Sequence, residues 1–384
     1  MAYTVSLPFK QAVIASTQRP IIKVELLDSN SRSVIQTITG IEDGSVSVDT
    51  SRGTRRTFQL RLVNDGGRWT PTSYDDVFYM NRVIRIWRGF QYIYDDETVL
   101  EYAPLGTFLI DRPEVFVERN SSIITIDGSD FWKYVATGGF PSSQTFDVGT
   151  HINTLIAEVL LQSGMSSRWL ALDTLGQRDA ESKTIQKIVT WEAGDSRTDF
   201  LTNLATQYGI ELFFDPLGNL VSREIVEPST ASPVWKFTAG EDAIMLGITK
   251  TWNDLKLVNH IVVTGESSDG IPSLARYEMR DNDPASPTFY GRIGDRVMTY
   301  SAPLVFNNQQ ARLVAEKLWR ENALIEENIK LPSMCLPQLE GNDVIEVVEN
   351  DWSKTSDRYL INRFDIPLRE SRMTIETKRG RMMQ

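Results

Sequence analysis

The chain carries few residues able to do covalent or metal chemistry. Its two histidines, His151 and His260, lie far apart, and its single cysteine, Cys335, neighbours neither in sequence. Zinc sites need His and Cys at short fixed spacings, and neither C-x-x-C nor H-E-x-x-H occurs. A Ser-His-Asp triad would have to recruit one of the two histidines, and there is no G-x-S-x-G elbow. His151 opens a helical segment, where a capping or surface role fits; His260 sits in mid-strand. Glycine-rich phosphate loops are absent. The acid pairs Asp75–Asp76 and Asp95–Asp96 offer oxygen ligands of the kind calcium takes, but adjacent loop acids are usually solvated. Glycoside hydrolysis needs two carboxylates facing each other across a cleft, and the sequence singles out no such pair. The reading is therefore a protein without catalytic, cofactor-binding or metal-binding residues, and not an enzyme.

Arginines are the chemistry that remains. Arg52, Arg55 and Arg56 form a short basic cluster suited to a salt bridge or a protein interface. Arg112 and Arg363 end two nearly identical pentapeptides, FLIDR (108–112) and YLINR (359–363). A guanidinium matches a carboxylate in two-pronged fashion, so each is a candidate to pair with an acid of an adjacent barrel or subunit, the alternative being a solvated arginine at a strand end.

The elements holding these two arginines repeat. NRVIRIW (81–87) precedes the first pentapeptide and NDVIEVV (342–348) the second. IITID (123–127) follows the first and MTIE (373–376) the second. Three matched strands in one order indicate duplicated β-domains, with an additional hairpin arm around 88–103 in the first copy. The two pentapeptides should occupy the same strand of superposable barrels. Alternation then puts Leu109 and Leu360 on one face and Ile110 and Ile361 on the other.

Around this repeat, the first third alternates as strands: 21–29, 33–50, 54–64, 82–97, 98–118 and 121–130, with NDGG (64–67) read as a hairpin turn. The middle third changes period. THINTLIAEVLLQSG (150–164) is a helix with Ile152, Leu155, Ile156, Val159 and Leu160 on one face, Thr150 as cap and Gly164 as stop. A second helix starts at Ser196–Asp199 with a capping-box spacing, carries Phe200, Leu201, Leu204, Ala205 and Tyr208, and stops at Gly209. A hairpin turning at 215–219 follows, and then a Pro/Ser-rich linker, 226–233. The last third has strands at 255–266, 341–351, 359–368 and 372–379, a loop at 281–296, a helix at 307–325 and a frayed tail at 378–384. The fold class is mainly β with an α+β insertion: two similar antiparallel β-barrel domains (1–135 and 241–384, the second with helix 307–325) and a small helix–hairpin domain (136–240).

The 384 residues, 41% hydrophobic and 24% charged, can fill several cores. The net charge of −11 opposes wrapping by nucleic-acid phosphates. No signal peptide and no transmembrane run is seen, so the chain is expected to be made in a host cytoplasm and not to insert into a membrane itself.

In their order, GSVSVDTSRGTRRTFQLRLVND (44–65), LGTFLIDRPEV (105–115), GDSRTDFLTNLATQYGIELFFDPLGNLV (194–221), ARLVAEKLWR (311–320) and LPQLEGNDVIEVV (336–348) with YLINRFDIPL (359–368) are similar to segments of phage tail hub proteins. The chain resembles the siphophage minor tail protein and tail hub family, related to the baseplate hubs of contractile-tailed phages. The resemblance covers most of the chain. It implies a homotrimer whose six barrels make a pseudo-hexameric ring at the distal end of the virion tail, joining the six-fold tube to a three-fold tip around the DNA path. The implied partners are the tube or distal tail protein, the tape measure protein, and tip or fibre proteins; DNA meets the chain only in transit, along an acidic or neutral wall. The chain stops after its last strand, so receptor binding and wall cleavage are expected from other tip proteins. The alternatives are a receptor-binding or wall-degrading tip protein, with Trp87, Phe90, Tyr92 and Tyr94 as an aromatic platform, and the hub of a related injection machine.

Overall fold

Strands with one apolar face build the main core of the molecule, which is described from a computed structural model. Described are residues 3–380 except 16, 120, 166–168, 171–183, 225, 227, 229, 239–242, 254–256, 266–274, 303–304, 306, 324–325 and 349–355. Parts of the 226–233 linker and of the 255–266 strand, the end of the 307–325 helix, and residues 381–384 of the tail thus lie outside the described residues.

The first part begins with a helix the sequence reading missed, α1 (Leu7–Ile14). Ser6 caps it, and Phe9 and Val13, one turn apart, are buried in the main core. Seven strands follow: β1 (Pro20–Leu27), β2 (Val34–Ile38), β3 (Ile41–Asp49), β4 (Arg56–Val63), β5 (Val83–Tyr94), β6 (Glu97–Glu118) and β7 (Ser121–Ser129). In β4 burial alternates at every residue, as a strand with one face on the core requires. The NDGG stretch is not a hairpin turn: β4 pairs with β3 and β7. The buried Asn64 explains the difference. Its side chain accepts from Trp69 N (2.8 Å) and donates to Thr70 Oγ1 (2.9 Å), winding 64–70 into a compact loop.

The middle part holds α2 (Trp132–Ala136), β8 (Gln144–Phe146), α3 (Ile152–Gln162), β9 (Val189–Trp191), α4 (Arg197–Gln207), and the hairpin β10 (Ile210–Phe214) and β11 (Leu220–Glu224). The five expected residues of α3 are buried, and Gly164 (φ +90°) stands where the chain leaves the helix. The cap is His151, not Thr150: its Nδ1 accepts from Asn153 N at 3.2 Å. Ser196 caps α4 through Asp199 N as the spacing implies. Asp215 closes the β10–β11 turn by accepting from Asn219 N at 2.7 Å. This unit has its own core, which includes Leu27, Val83 and Leu109 from the outer side of the first part's sheet.

The last part holds β12 (Trp235–Thr238), β13 (Thr249–Asn253), β14 (His260–Gly265), β15 (Arg276–Arg280), α5 (Tyr290–Ile293), β16 (Val297–Ala302), α6 (Asn308–Asn322), β17 (Glu326–Met334), β18 (Val344–Val348), β19 (Ser356–Pro367) and β20 (Arg372–Gly380). The span 241–384 contains two cores. β14–β16 and α6 form a separate small unit around Ile261, Val263, Val314 and Leu318, whereas Ile329, Leu331, Ile361 and Ile375 join the main core.

The chain is mainly β, as the sequence implies. The two repeats share one sheet of 13 described strands. In the first, the order is β3-β4-β7-β6-β5-β1-β2; in the second it is β13-β17-β20-β19-β18-β12. They join where β19 runs past the end of β18 and pairs with β3, Arg363 opposite Asp49 and Pro367 opposite Ser45. Among the described residues no ladder closes either half on itself.

Candidate functional site

The repeat is matched at the level of register. Val83 and Ile84 of β5 stand opposite Leu109 and Phe108 of β6; Val344 and Ile345 of β18 stand opposite Leu360 and Tyr359 of β19. Asn81 and Asn342 both take left-handed backbone (φ 64° and 60°), a conformation asparagine tolerates. Each donates its N–H to the matching isoleucine carbonyl, Ile110 O or Ile361 O, at 2.8 Å. A bulge at Asp111 in one copy and Asn362 in the other shifts the next ladder by one residue. The match continues outward: Ile41 opposite Leu62 in the first half corresponds to Met245 opposite Ser333 in the second. Ile110 and Ile361 both face the shared core. Leu109 faces the α+β unit and is buried, while its counterpart Leu360 is half-buried.

A buried ionic joint ties three parts of the chain together. Arg55 and Arg56 come from the start of β4, Glu211 and Arg223 from the β10–β11 hairpin, and Glu340 and Asn342 from the approach to β18. Arg55 Nη2 meets Glu211 Oε2 at 3.0 Å, Arg223 also pairs with Glu211, and Asn342 Nδ2 donates to Glu211 at 2.6 Å. The guanidiniums of Arg55 and Arg223 both lie over the ring of Phe213, at 3.9 and 4.8 Å from its centre. Arg56 pairs with Glu340, and its Nη1 donates to Leu105 O at 2.8 Å. Asp130 accepts from Arg56 N and Trp132 N. Burial raises the carboxyls of Glu211 and Glu340, but the arginines outweigh it and hold both below the usual range. At Asp130 burial wins over the backbone hydrogen bonds and the Arg56 charge, and pushes the carboxyl up to about 6. Each of these side chains is buried or half-buried and has a partner within the joint, so the arrangement holds the three parts of the chain against one another.

Of the basic cluster, Arg55 and Arg56 thus serve internal salt bridges, and the half-exposed-to-open Arg52 pairs with Asp49 at 3.3 Å. The partners Glu211, Arg223 and Glu340 escaped the sequence reading. One signal was there: Arg56 occupies the inward register of Phe58, Leu60 and Leu62, and a buried arginine requires an acid.

Arg112 and Arg363 sit one residue beyond the two bulges. Arg112 is 70% exposed and meets Asp127 of β7 at 2.9 Å. Arg363, 45% exposed, has Asp365 at 3.9 Å and stands opposite Asp49 of the other half. The acid pairs turn out local. Asp95 and Asp96, both with positive φ, make the two-residue turn of the β5–β6 arm. Asp76 accepts from Thr72 N and Ser73 N. The four arm aromatics do not form one platform: Phe90 is in the core, Trp87 Nε1 donates to Glu25 at 2.7 Å, and the arm instead exposes Ile93 (76%), Tyr94 and Leu100. Cys335 is buried beside Arg88, and burial pushes its thiol up to about 11. His260 lies between Glu278 and Asp295 on the small unit's surface. No group of three or more His, Cys, Asp or Glu suited to a metal occurs among the described residues.

Two similar half-sheets in one chain, sharing an antiparallel seam, with α+β units attached, make an arrangement already seen in solved structures. The tail protein from Neisseria meningitidis MC58 superposes with a TM-score of 0.64 at 10% identity, over 94% of this chain and 97% of that one. The fold is that of phage tail proteins. The 43 kDa tail protein of prophage MuSo2 from Shewanella oneidensis gives 0.62 at 13% identity, covering 94% and 98%. A chain in the Francisella PdpA–VgrG complex gives 0.56 at 11% identity, covering 95% of this chain and 53% of that one. No protein-family model and no curated protein matches the chain.

Proposed function

We propose that this chain is a structural hub of a phage tail. Its copies form a homotrimeric, pseudo-six-fold ring that joins the six-fold tube to a three-fold tip and surrounds part of the DNA path. The observation that carries the reading is the register-matched duplication within a fold shared end to end with phage tail proteins. Two equivalent halves let three chains offer six similar contacts to a six-fold tube. The partners on this reading are other copies of the chain, the tube or distal tail protein, the tape measure protein, and tip or fibre proteins. Arg112 and Arg363 sit at intersubunit or interhalf contacts, and the chain performs no catalysis. It is made in the host cytoplasm and works at the distal end of the virion tail. No described helix is long and apolar enough to cross a membrane. The likeness to a chain of the PdpA–VgrG complex favours, as a second reading, the hub of a related injection machine.

The test is image reconstruction of assembled particles carrying a tagged copy of the chain. The expected result is density at the tube's distal end, around the channel, in three copies. Tag density along the tube wall, or particles without the chain, would refute the hub reading.

A further inference from the structure

The seam inside the chain has an unfilled counterpart. In the second half, β19 is paired with β18 up to Leu360, Asn342 N bonds Ile361 O, and beyond the bulge the same edge of β19 is taken by β3. In the first half, β6 is paired with β5 up to Leu109, and Asn81 N bonds Ile110 O. Beyond the bulge, the same edge of β6, from Arg112 to Phe116, has no described strand on it. The matching registers identify the missing piece. β4 corresponds to β17, because each pairs with the equivalent last strand, β7 or β20. β3 then corresponds to β13, since Val46 opposite Phe58 matches Lys250 opposite Ile329. The outer edge of β13 is the end of the described sheet.

We propose that β13 of a second copy of this chain pairs antiparallel with β6 at Arg112–Phe116, reproducing between chains the seam that β3 makes with β19 within one. The correspondence sets the register: Glu114 opposite Thr251 of the neighbour, Arg112 opposite position 253 and Phe116 opposite position 249. The chemistry at the central pair is preserved. In the internal seam Ser47 Oγ donates to Asp365; in the new one a threonine hydroxyl, Thr251, meets a carboxylate, Glu114. Phe116 (58% exposed) and Val117 (69%) lie beside the open edge and would be covered. Pro113 offers no N–H, so the seam carries one hydrogen bond fewer than its model. Because each copy presents β6 to one neighbour and β13 to the other, the contact is heterologous, as the subunit contacts of the proposed ring must be. The inference rests on the ring reading above and specifies its interface.

Thr50 N and Leu368 N donate to Asn362 O and Gly44 O, so the Ser47–Asp365 pair is of the non-hydrogen-bonded kind, with close Cα atoms suited to a disulfide. The test therefore uses Glu114→Cys with Thr251→Cys in a full-length Cys335→Ser background, alongside Ser47→Cys with Asp365→Cys as the internal control. Mild oxidation of the assembled protein should link the first variant into covalent multimers ending at one closed species, and the control within single chains only. Each single-cysteine variant should stay unlinked. A ring in solution whose E114C/T251C chains do not cross-link, while the control does, would overturn the seam and leave the hub standing. A chain that is monomeric alone and in particles would overturn both. If E114C/T251C misfolds, Phe116→Asp is read instead: the folded protein should lose the ring, and a ring of unchanged mass would count against the seam.

Discussion

The two half-sheets are alike in strand register and in the core they share, and unlike in what is attached to them. Ile110 and Ile361 occupy the same register and the same core. On the other face, Leu109 is sealed by the α+β unit while Leu360 is half-open. The first half extends β5 and β6 into a long arm; the second takes β12 in parallel and inserts the β14–β16 and α6 unit between β13 and β17. What is common is the geometry needed to place halves side by side. What differs is the material attached to each half, which on the proposed ring reading gives each half its own neighbours.

The strongest way to break this comparison is at the joint that holds the halves and the α+β unit in place. Glu340→Ala leaves Arg56 charged, buried and unpaired, and should cost about 3–5 kcal/mol in urea unfolding. The exposed pair Lys330–Glu376, at 3.2 Å, should give up less than about 1 kcal/mol on Lys330→Ala. Equal losses would mean that the joint is not a structural centre.

The likeness itself is sharpened by paired truncations. Ile110→Ala and Ile361→Ala should each cost about 2–5 kcal/mol and agree closely, because both side chains are fully buried. Leu109→Ala should cost clearly more than Leu360→Ala. Calorimetry of the four variants checks both statements, and a large gap between the isoleucines would break the equivalence of the halves.

Much of this was legible beforehand for a physical reason. Strand alternation and helix periodicity record which face is buried, so the repeat, the faces of α3, α4 and α6, and the β10–β11 hairpin could be read directly. Contacts between residues far apart leave no such local record. Glu211 and Glu340 look like ordinary surface acids until β4 brings Arg55 and Arg56 to them. The sharing of one sheet was hidden too, because β19 gives no local sign of changing partner from β18 to β3. Asn64 misled for a similar reason: an asparagine before glycines favours a turn, and only its burial shows that its side chain organises a longer loop.

The joint should also respond to pH in two opposite senses. Asp130, raised to about 6 by burial, binds its proton more tightly folded than unfolded, so its contribution falls as pH rises from about 4 to 6. Asp130→Asn should remove a slope worth about 2–3 kcal/mol across that interval. Glu211 and Glu340 are held below the usual carboxylate range, so their contribution is full above that range and fades as pH falls further. Urea titrations from pH 3 to 7 would show a maximum between these limbs, and a monotonic rise in the unsubstituted chain, or a falling limb that Asp130→Asn leaves unchanged, would contradict the assignment.

The smallest effect belongs to the arm. Ile93 is 76% exposed on a two-stranded ribbon, and Ile93→Ser should change the melting temperature of the isolated chain by no more than about 1–2 °C. A larger drop would show that the arm packs on its own chain and is not held out toward another.

The mass of the assembled hub, measured by light scattering and sedimentation at several protein concentrations and again on complexes released from particles, bears most directly on the ring. Two matched halves per chain predict a closed species of three copies, with six similar lobes in averaged images. A species that stays at 43.5 kDa in every setting, or a ring of six whole chains, would contradict it.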